Sequence, residues 1–166
     1  MRILGIDPGY AIVGYGVLDL NGYDMSVVGY GAIRTQAHTD MHMRLSDIYD
    51  DMNTIISRYR PEVMSIEKLF FTTNQKTGID VAQARGIILL AAHRCGLKIY
   101  EYTPLQVKQA VTGYGKAKKP QVMEMTRSLL HLASVPKPDD TADALAIAIC
   151  HGHSANMIHN MKGNTP

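Results

Sequence analysis

Cysteine is scarce: Cys95 and Cys150 are the only two in 166 residues. That is too few for a disulfide scaffold and suits a reducing compartment. Long apolar runs are missing too. The longest, residues 86–92 and 144–150, fall well short of the roughly 18 residues that cross a bilayer. The opening Met1-Arg2-Ile3-Leu4-Gly5-Ile6-Asp7 lacks an apolar h-region followed by a cleavage site, so a cytoplasmic protein with no membrane partner is expected. There is no internal repeat, and no low-complexity segment beyond a short Lys-rich loop. What is present is 46% hydrophobic and 19% charged residues, enough for a core and incompatible with wholesale disorder. The length corresponds to one domain, expected over residues 1–153 with a polar, frayed tail over 154–166.

Net charge is only +2 but uneven. Residues 1–80 carry seven basic and ten acidic side chains, whereas residues 98–127 carry six basic against two acidic. The asymmetry suits a polyanion on one side of the molecule, and equally an ordinary solvated face.

Periodicity supplies the elements. Arg2 to Asp7 reads as a strand ending at Pro8-Gly9, residues 15–20 as a second, and residues 25–33 as a third, joined through the hairpin dipeptide Asn21-Gly22. Leu45, Ile48, Tyr49, Met52, Ile55, Ile56 and Tyr59 then recur at helical steps, with Thr39 or Asp40 as cap and Pro61 as stop. A fourth strand over residues 62–67 leads to a helix over 77–95 whose stretch 87–92 is apolar all round, as for an element buried on most sides. Residues 98–102 form a fifth strand. Thr103-Pro104 opens a helix to about Val111, Pro120 opens another with Val122, Met125, Leu129 and Leu130 inward, and Asp139/Asp140 cap a last helix ending near Gly152. This order predicts an α/β fold: a mixed five-stranded sheet, part antiparallel meander and part parallel, with helices on both faces.

Four carboxylates stand out. Asp7 ends the first strand, where an Asp commonly serves as a turn residue. Glu67 ends the fourth, and a Glu closing a buried strand has fewer structural reasons to be there. Asp140 and Asp143 share one side of the last helix, where acids also suit the helix dipole. That helix continues as Ala144-Leu145-Ala146-Ile147-Ala148-Ile149, apolar enough to be pressed onto the sheet. If the first and fourth strands are neighbours, all four acids meet. Ionised carboxylates sharing a pocket need a cation, and oxygen-only ligands select a hard one, Mg²⁺ or Mn²⁺. Two such ions form the clamp for in-line displacement at a phosphodiester.

Gly5-Ile6-Asp7-Pro8-Gly9, Ile66-Glu67, Gln83-Ala84-Arg85-Gly86 and Asp140-Thr141-Ala142-Asp143-Ala144-Leu145-Ala146 together resemble the motifs of the RuvC family of bacterial Holliday-junction resolvases. The likeness runs in order from Arg2 to about His153. It implies an RNase H-like fold, a homodimer, and Mg²⁺-dependent paired incisions across a four-way DNA junction in recombination and repair. It implies catalytic, metal-holding roles for Asp7, Glu67, Asp140 and Asp143, two ions per site, and base stacking by Phe70. Lys108 and Lys119 match basic residues that the family sets near the scissile phosphate and on DNA. Lys116 and Lys118 join them as phosphate contacts by position and charge alone. The RuvAB branch-migration complex is a candidate partner. Asp139 departs from the pattern by adding an acid beside Asp140; the spacing to Asp143 favours Asp140 at the metal and Asp139 as the cap.

Other readings exist. An actin-like ATP-binding domain also opens with a Gly-x-Asp-x-Gly hairpin, but that architecture needs two such domains and this length supplies one. A non-catalytic branched-DNA binder would be expected to have lost its acids, and an RNase H-like nuclease acting on RNA stays within the same class. Cys150-His151-Gly152-His153 belongs to an apolar helix and its end rather than to a zinc cluster. Gly113-Tyr114-Gly115-Lys116 lacks the Walker spacing.

Overall fold

The computed structural model describes residues 1–69 and 75–163. In chain order they form β1 (Arg2–Asp7), β2 (Ile12–Asn21), β3 (Asp24–Arg34), α1 (Met41–Tyr59), β4 (Val63–Glu67), α2 (Gln75–Arg94), β5 (Lys98–Tyr102), α3 (Pro104–Thr112), α4 (Lys119–Leu129) and α5 (Asp139–Gly163). The strands lie in the order β3-β2-β1-β4-β5. Short connections make β1–β2 and β2–β3 antiparallel, with Gly22 taking the left-handed conformation in the hairpin at φ 59°. Helical crossovers make β1–β4 and β4–β5 parallel. This is the expected mixed sheet.

Alternation along the strands divides the core in two. Leu4, Ile6, Val13, Val17, Met64 and Ile66 pack beneath Ile48 and Met52 of α1 and Ile88 of α2. Ile3, Leu18, Leu20 and Val63 face the other way, onto Leu145, Ile147 and Ile149 of α5 and onto α3 and α4. Asp7 and Glu67 follow the same alternation, so both project on the α5 side.

Helix α5 lies against bare backbone. A Cβ on Gly5 would sit 2.2 Å from the Ala144 carbonyl oxygen, one on Gly14 2.0 Å from that of Asp140, and one on Gly16 2.6 Å from Leu145 Cδ2. These glycines are there for close approach, and they set the acidic first turn of α5 directly over the ends of β1 and β2.

Three expectations are corrected. The last helix continues past Gly152 to Gly163, and Asn156 Nδ2 ties these polar turns to the β2–β3 hairpin by donating to the Gly22 carbonyl. In α4, Met123 and Thr126 are buried beside Val122, while Met125 and Leu129 turn outward, 39% and 38% exposed. Thr126 tolerates burial by donating its hydroxyl to the Val122 carbonyl at 2.8 Å. Helix α2 is not enclosed: Ala84, Ile88, Ala91 and Ala92 are buried, but Ile79 and Leu90 are 58% and 46% exposed.

Candidate active site

The parallel β1–β4 register pairs Gly5 with Ser65 and Ile6 with Ile66. The next residues along it are Asp7 and Glu67, which therefore end adjacent strands about 4.8 Å apart. Above them, the Gly14–Asp140 contact fixes the start of α5 and brings Asp143 over the same edge. Glu67 and Asp143 line a cavity of about 250 Å³ with Lys108 of α3, Lys119 at the start of α4, and the apolar Pro104, Val107, Val122 and Ala146.

The electrostatics carry the signature of crowded like charge. Burial, then Asp143, Glu67 and Asp140 in turn, push the Asp7 carboxyl well above its ordinary proton affinity, with Lys119 opposing. Glu67 is raised by burial and by Asp143, against Lys108 and Lys119. Three acids thus act on Asp7, and Asp143 acts on Glu67 as well, across one edge of the sheet. Asp143 takes its countercharge from the Lys119 ammonium, 2.8 Å away. That contact is the main cause of the raised Lys119 proton affinity. Asp139 is held mainly by Lys137, which bonds it at 2.8 Å and keeps it below the usual carboxylate range, with Lys119 3.9 Å from its other oxygen. Asp140, not Asp139, acts on Asp7.

Oxygen-only donors with a raised proton affinity suit a hard divalent cation. Among the described residues no three such side chains stand close enough to hold one ion between them, and the Lys119 ammonium supplies the positive charge at Asp143. The donor chemistry fits the cation, with Lys119 as its competitor.

The remaining basic residues divide. Lys108 and Lys119 are at the cavity; Lys116 and Lys118 are exposed on the loop before α4 and do not line it. Phe70 lies outside the described residues. One residue escaped sequence reasoning although its motif was visible. Arg85, deep in α2, donates from Nε to the Glu67 carbonyl at 3.1 Å and pairs with Glu101, which ties the end of β4 in place. An arginine in an otherwise apolar helical stretch was the available signal. Further along α5, burial pushes the Cys150 thiol up to about 12 and the His151 imidazole down to about 4. His151 Nδ1 is in hydrogen-bond contact with the Tyr102 hydroxyl at 2.8 Å, and its ring packs on Tyr100 with centroids 4.3 Å apart.

Comparison with known proteins decides the family. The family model described as crossover junction endodeoxyribonuclease RuvC matches residues 3–151. The chain belongs to the RuvC family. A RuvC of Desulfitobacterium hafniense is 55% identical over 163 residues, covering 98% of this chain and 99% of the relative. One of Halothermothrix orenii is 57% identical over 154 residues, 93% of each chain. Among solved structures, Thermus thermophilus RuvC superposes with a TM-score of 0.87 at 35% identity, covering 95% of this chain and 96% of that one. The same protein in complex with a Holliday junction substrate gives 0.86 at 33%, with the same coverage. The yeast mitochondrial Holliday junction resolvase, at 16% identity and a TM-score of 0.69, shares the fold. The RuvC family accounts for the RNase H-like sheet and for all four motif blocks.

Proposed function

We propose that this chain is a Holliday-junction resolvase, an endodeoxyribonuclease that hydrolyses phosphodiester bonds in paired strands of a four-way DNA junction. The observation that carries it is the meeting of Asp7, Glu67, Asp140 and Asp143, electrostatically coupled, at one sheet edge beside Lys108 and Lys119 in a member of the RuvC family. The four acids would hold divalent cations, two Mg²⁺ per site with Mn²⁺ as a substitute. Bound there, such ions supply an activated water and stabilisation of the leaving oxygen. The protein's own part is to fix the acids on strand ends and a helix start, so that the rearrangement left is the release of Asp143 by Lys119 and the closing of the acids around the cation. Lys119, 2.8 Å from Asp143, would be free to bond a phosphate oxygen if that carboxylate were engaged by a cation. Lys108 reaches the same cavity. Lys116 and Lys118 would add contacts to neighbouring phosphates, and Phe70 a stacking platform at the junction centre.

Two-fold symmetry of the junction calls for two such sites, hence a homodimer. The α2 stripe of Ile79, Gln83, Gly86 and Leu90, all exposed, suits that interface, and RuvAB is the proposed partner in the cell. An actin-like reading needs a second domain, and intact acids oppose a purely binding role. The test is incubation with a synthetic four-way junction, plain duplex and RNA–DNA hybrid, with and without Mg²⁺. Symmetric nicks confined to the junction and dependent on Mg²⁺ are expected; equal cutting of hybrid or duplex would overturn the reading.

A further inference from the structure

Arg44, at the end of the first turn of α1, has no ion-pair partner among the described residues to account for its charge. Its guanidinium carbon lies 4.9 Å from the centroid of the Tyr10 ring, and its Nε is buried without a hydrogen-bond partner. Among the described residues no carboxylate pairs with it; the ion pairs there involve Arg2, Arg85, Lys119, Arg127 and Lys137 together with the amino terminus. The charge also sits near the wrong end of its helix. Beyond Asp40 at the N-cap, no acidic residue occupies the first turn of α1, and Arg44 adds a cation near the positive end of the dipole. A buried donor left unmade is costly and calls for a reason.

Its position says what. Strand β3 runs parallel to β1, so α1, entered after Arg34, begins at the edge of the sheet where Asp7 and Glu67 end. Tyr10 stands three residues beyond Asp7. Its backbone carbonyl accepts from Thr35 Oγ1 at 2.7 Å, and the Ala11 carbonyl accepts from the Thr35 amide, which pins this loop to the end of β3. Arg44 is thereby held on the α1 face of the same edge, while Lys108 and Lys119 stand on the α5 face. The planar, weakly hydrated guanidinium stacks on an aromatic ring while leaving its fork of donors for a phosphate, which an ammonium does poorly.

Resting on the nuclease reading above, we propose that Arg44, braced by Tyr10, grips a backbone phosphate of the cleaved strand beside the scissile one, across the acidic edge from Lys108 and Lys119. It is a substrate-positioning residue on the face of the sheet opposite the lysines.

The test compares wild type, Arg44→Gln, Arg44→Lys and Tyr10→Leu. Affinity for a four-way junction and for plain duplex is measured against salt without divalent metal, cleavage turnover with Mg²⁺, and thermal melting throughout. One phosphate contact fewer should reduce the slope of log affinity against log salt by about 0.9 in Arg44→Gln on either DNA. Turnover should fall by roughly 10-fold or more through misplacement of the strand. Arg44→Lys should restore the slope but not the turnover, and Tyr10→Leu should keep the slope while lowering turnover. An unchanged slope in Arg44→Gln, with or without a lower melting temperature, overturns the inference. Wild type that binds duplex but ignores the junction overturns the nuclease reading instead, and the duplex slope still decides the fate of Arg44.

Discussion

At Asp7 the cost and the use of a buried acid coincide. Its proton affinity is raised by burial and by three neighbouring carboxylates, so ionising it weakens the fold as pH climbs above the ordinary value of 3.8. Asp7→Asn should therefore raise the melting temperature at pH 7 in chelator, with the gain vanishing near pH 3. The same variant should lose cleavage by on the order of 10³-fold or more while binding a four-way junction nearly as well as wild type, because the proposed phosphate contacts rest on other residues. Melting curves and nicking assays on one preparation check both; a variant that still cuts at the wild-type rate removes Asp7 from the chemistry. His151 shows the opposite sign. A buried imidazole held down to about 4, against an ordinary 6.5, must be charged on unfolding in acid. Stability is full above about pH 6.5 and declines towards pH 4, by about 3 kcal/mol at most. In His151→Gln that part of the acid sensitivity should disappear, as urea titrations at pH 7 and 4.5 would show. Arg44 and the buried Ser65, whose hydroxyl has no partner, carried no signal in the sequence, since neither sits in a pattern that alternation or helical spacing can interpret.

Among the elements, those with a strong local signal were legible. Strand β1 ends where Pro8-Gly9 follows, α3 starts at a reciprocal cap in which Thr103 Oγ1 accepts from the Gln106 amide and Gln106 Oε1 from that of Thr103, and β5 has the expected bounds, Lys98–Tyr102. The parts that failed depend on contacts distant in the chain. The last turns of α5 are polar, yet Asn156 bonds to Gly22, 134 residues away. The inward face of α4 was misjudged because Met125 and Leu129 satisfy helical spacing as well as Met123 and Thr126 do. The gathering of the acids was legible only conditionally, since sequence shows four carboxylates but not that β1 and β4 are neighbours. What seats α5 is the run of glycines beneath it. Gly14→Ala would place a methyl 2.0 Å from the Asp140 carbonyl oxygen, and the helix start must move. A loss of roughly 1–3 kcal/mol in stability is expected, with cleavage reduced by on the order of 10²-fold and junction affinity changed far less. Denaturant melts, turnover and gel-shift titrations separate these; full activity would show that the start of α5 has room to spare.

For the whole molecule, the open stripe of α2 is an apolar surface without a partner among the described residues. If it joins two copies, Leu90→Glu should shift the protein from dimer to monomer in sedimentation at micromolar concentration. The two nicks at one junction should then become uncoupled. An unaltered dimer would move the interface elsewhere. A last consequence follows from how the acids are mounted. The gap between Asp7 and Glu67 is dictated by peptide groups bonded from one strand to the next, a ruler that no repacking of Leu, Ile or Met can recalibrate. Asp140 and Asp143 ride on a helix whose seat depends on van der Waals fit. Inactivating substitutions far from the reaction centre should hence cluster along the bed of α5 and be rare beneath α1, so that a map of such damage would trace one side of the molecule and spare the other.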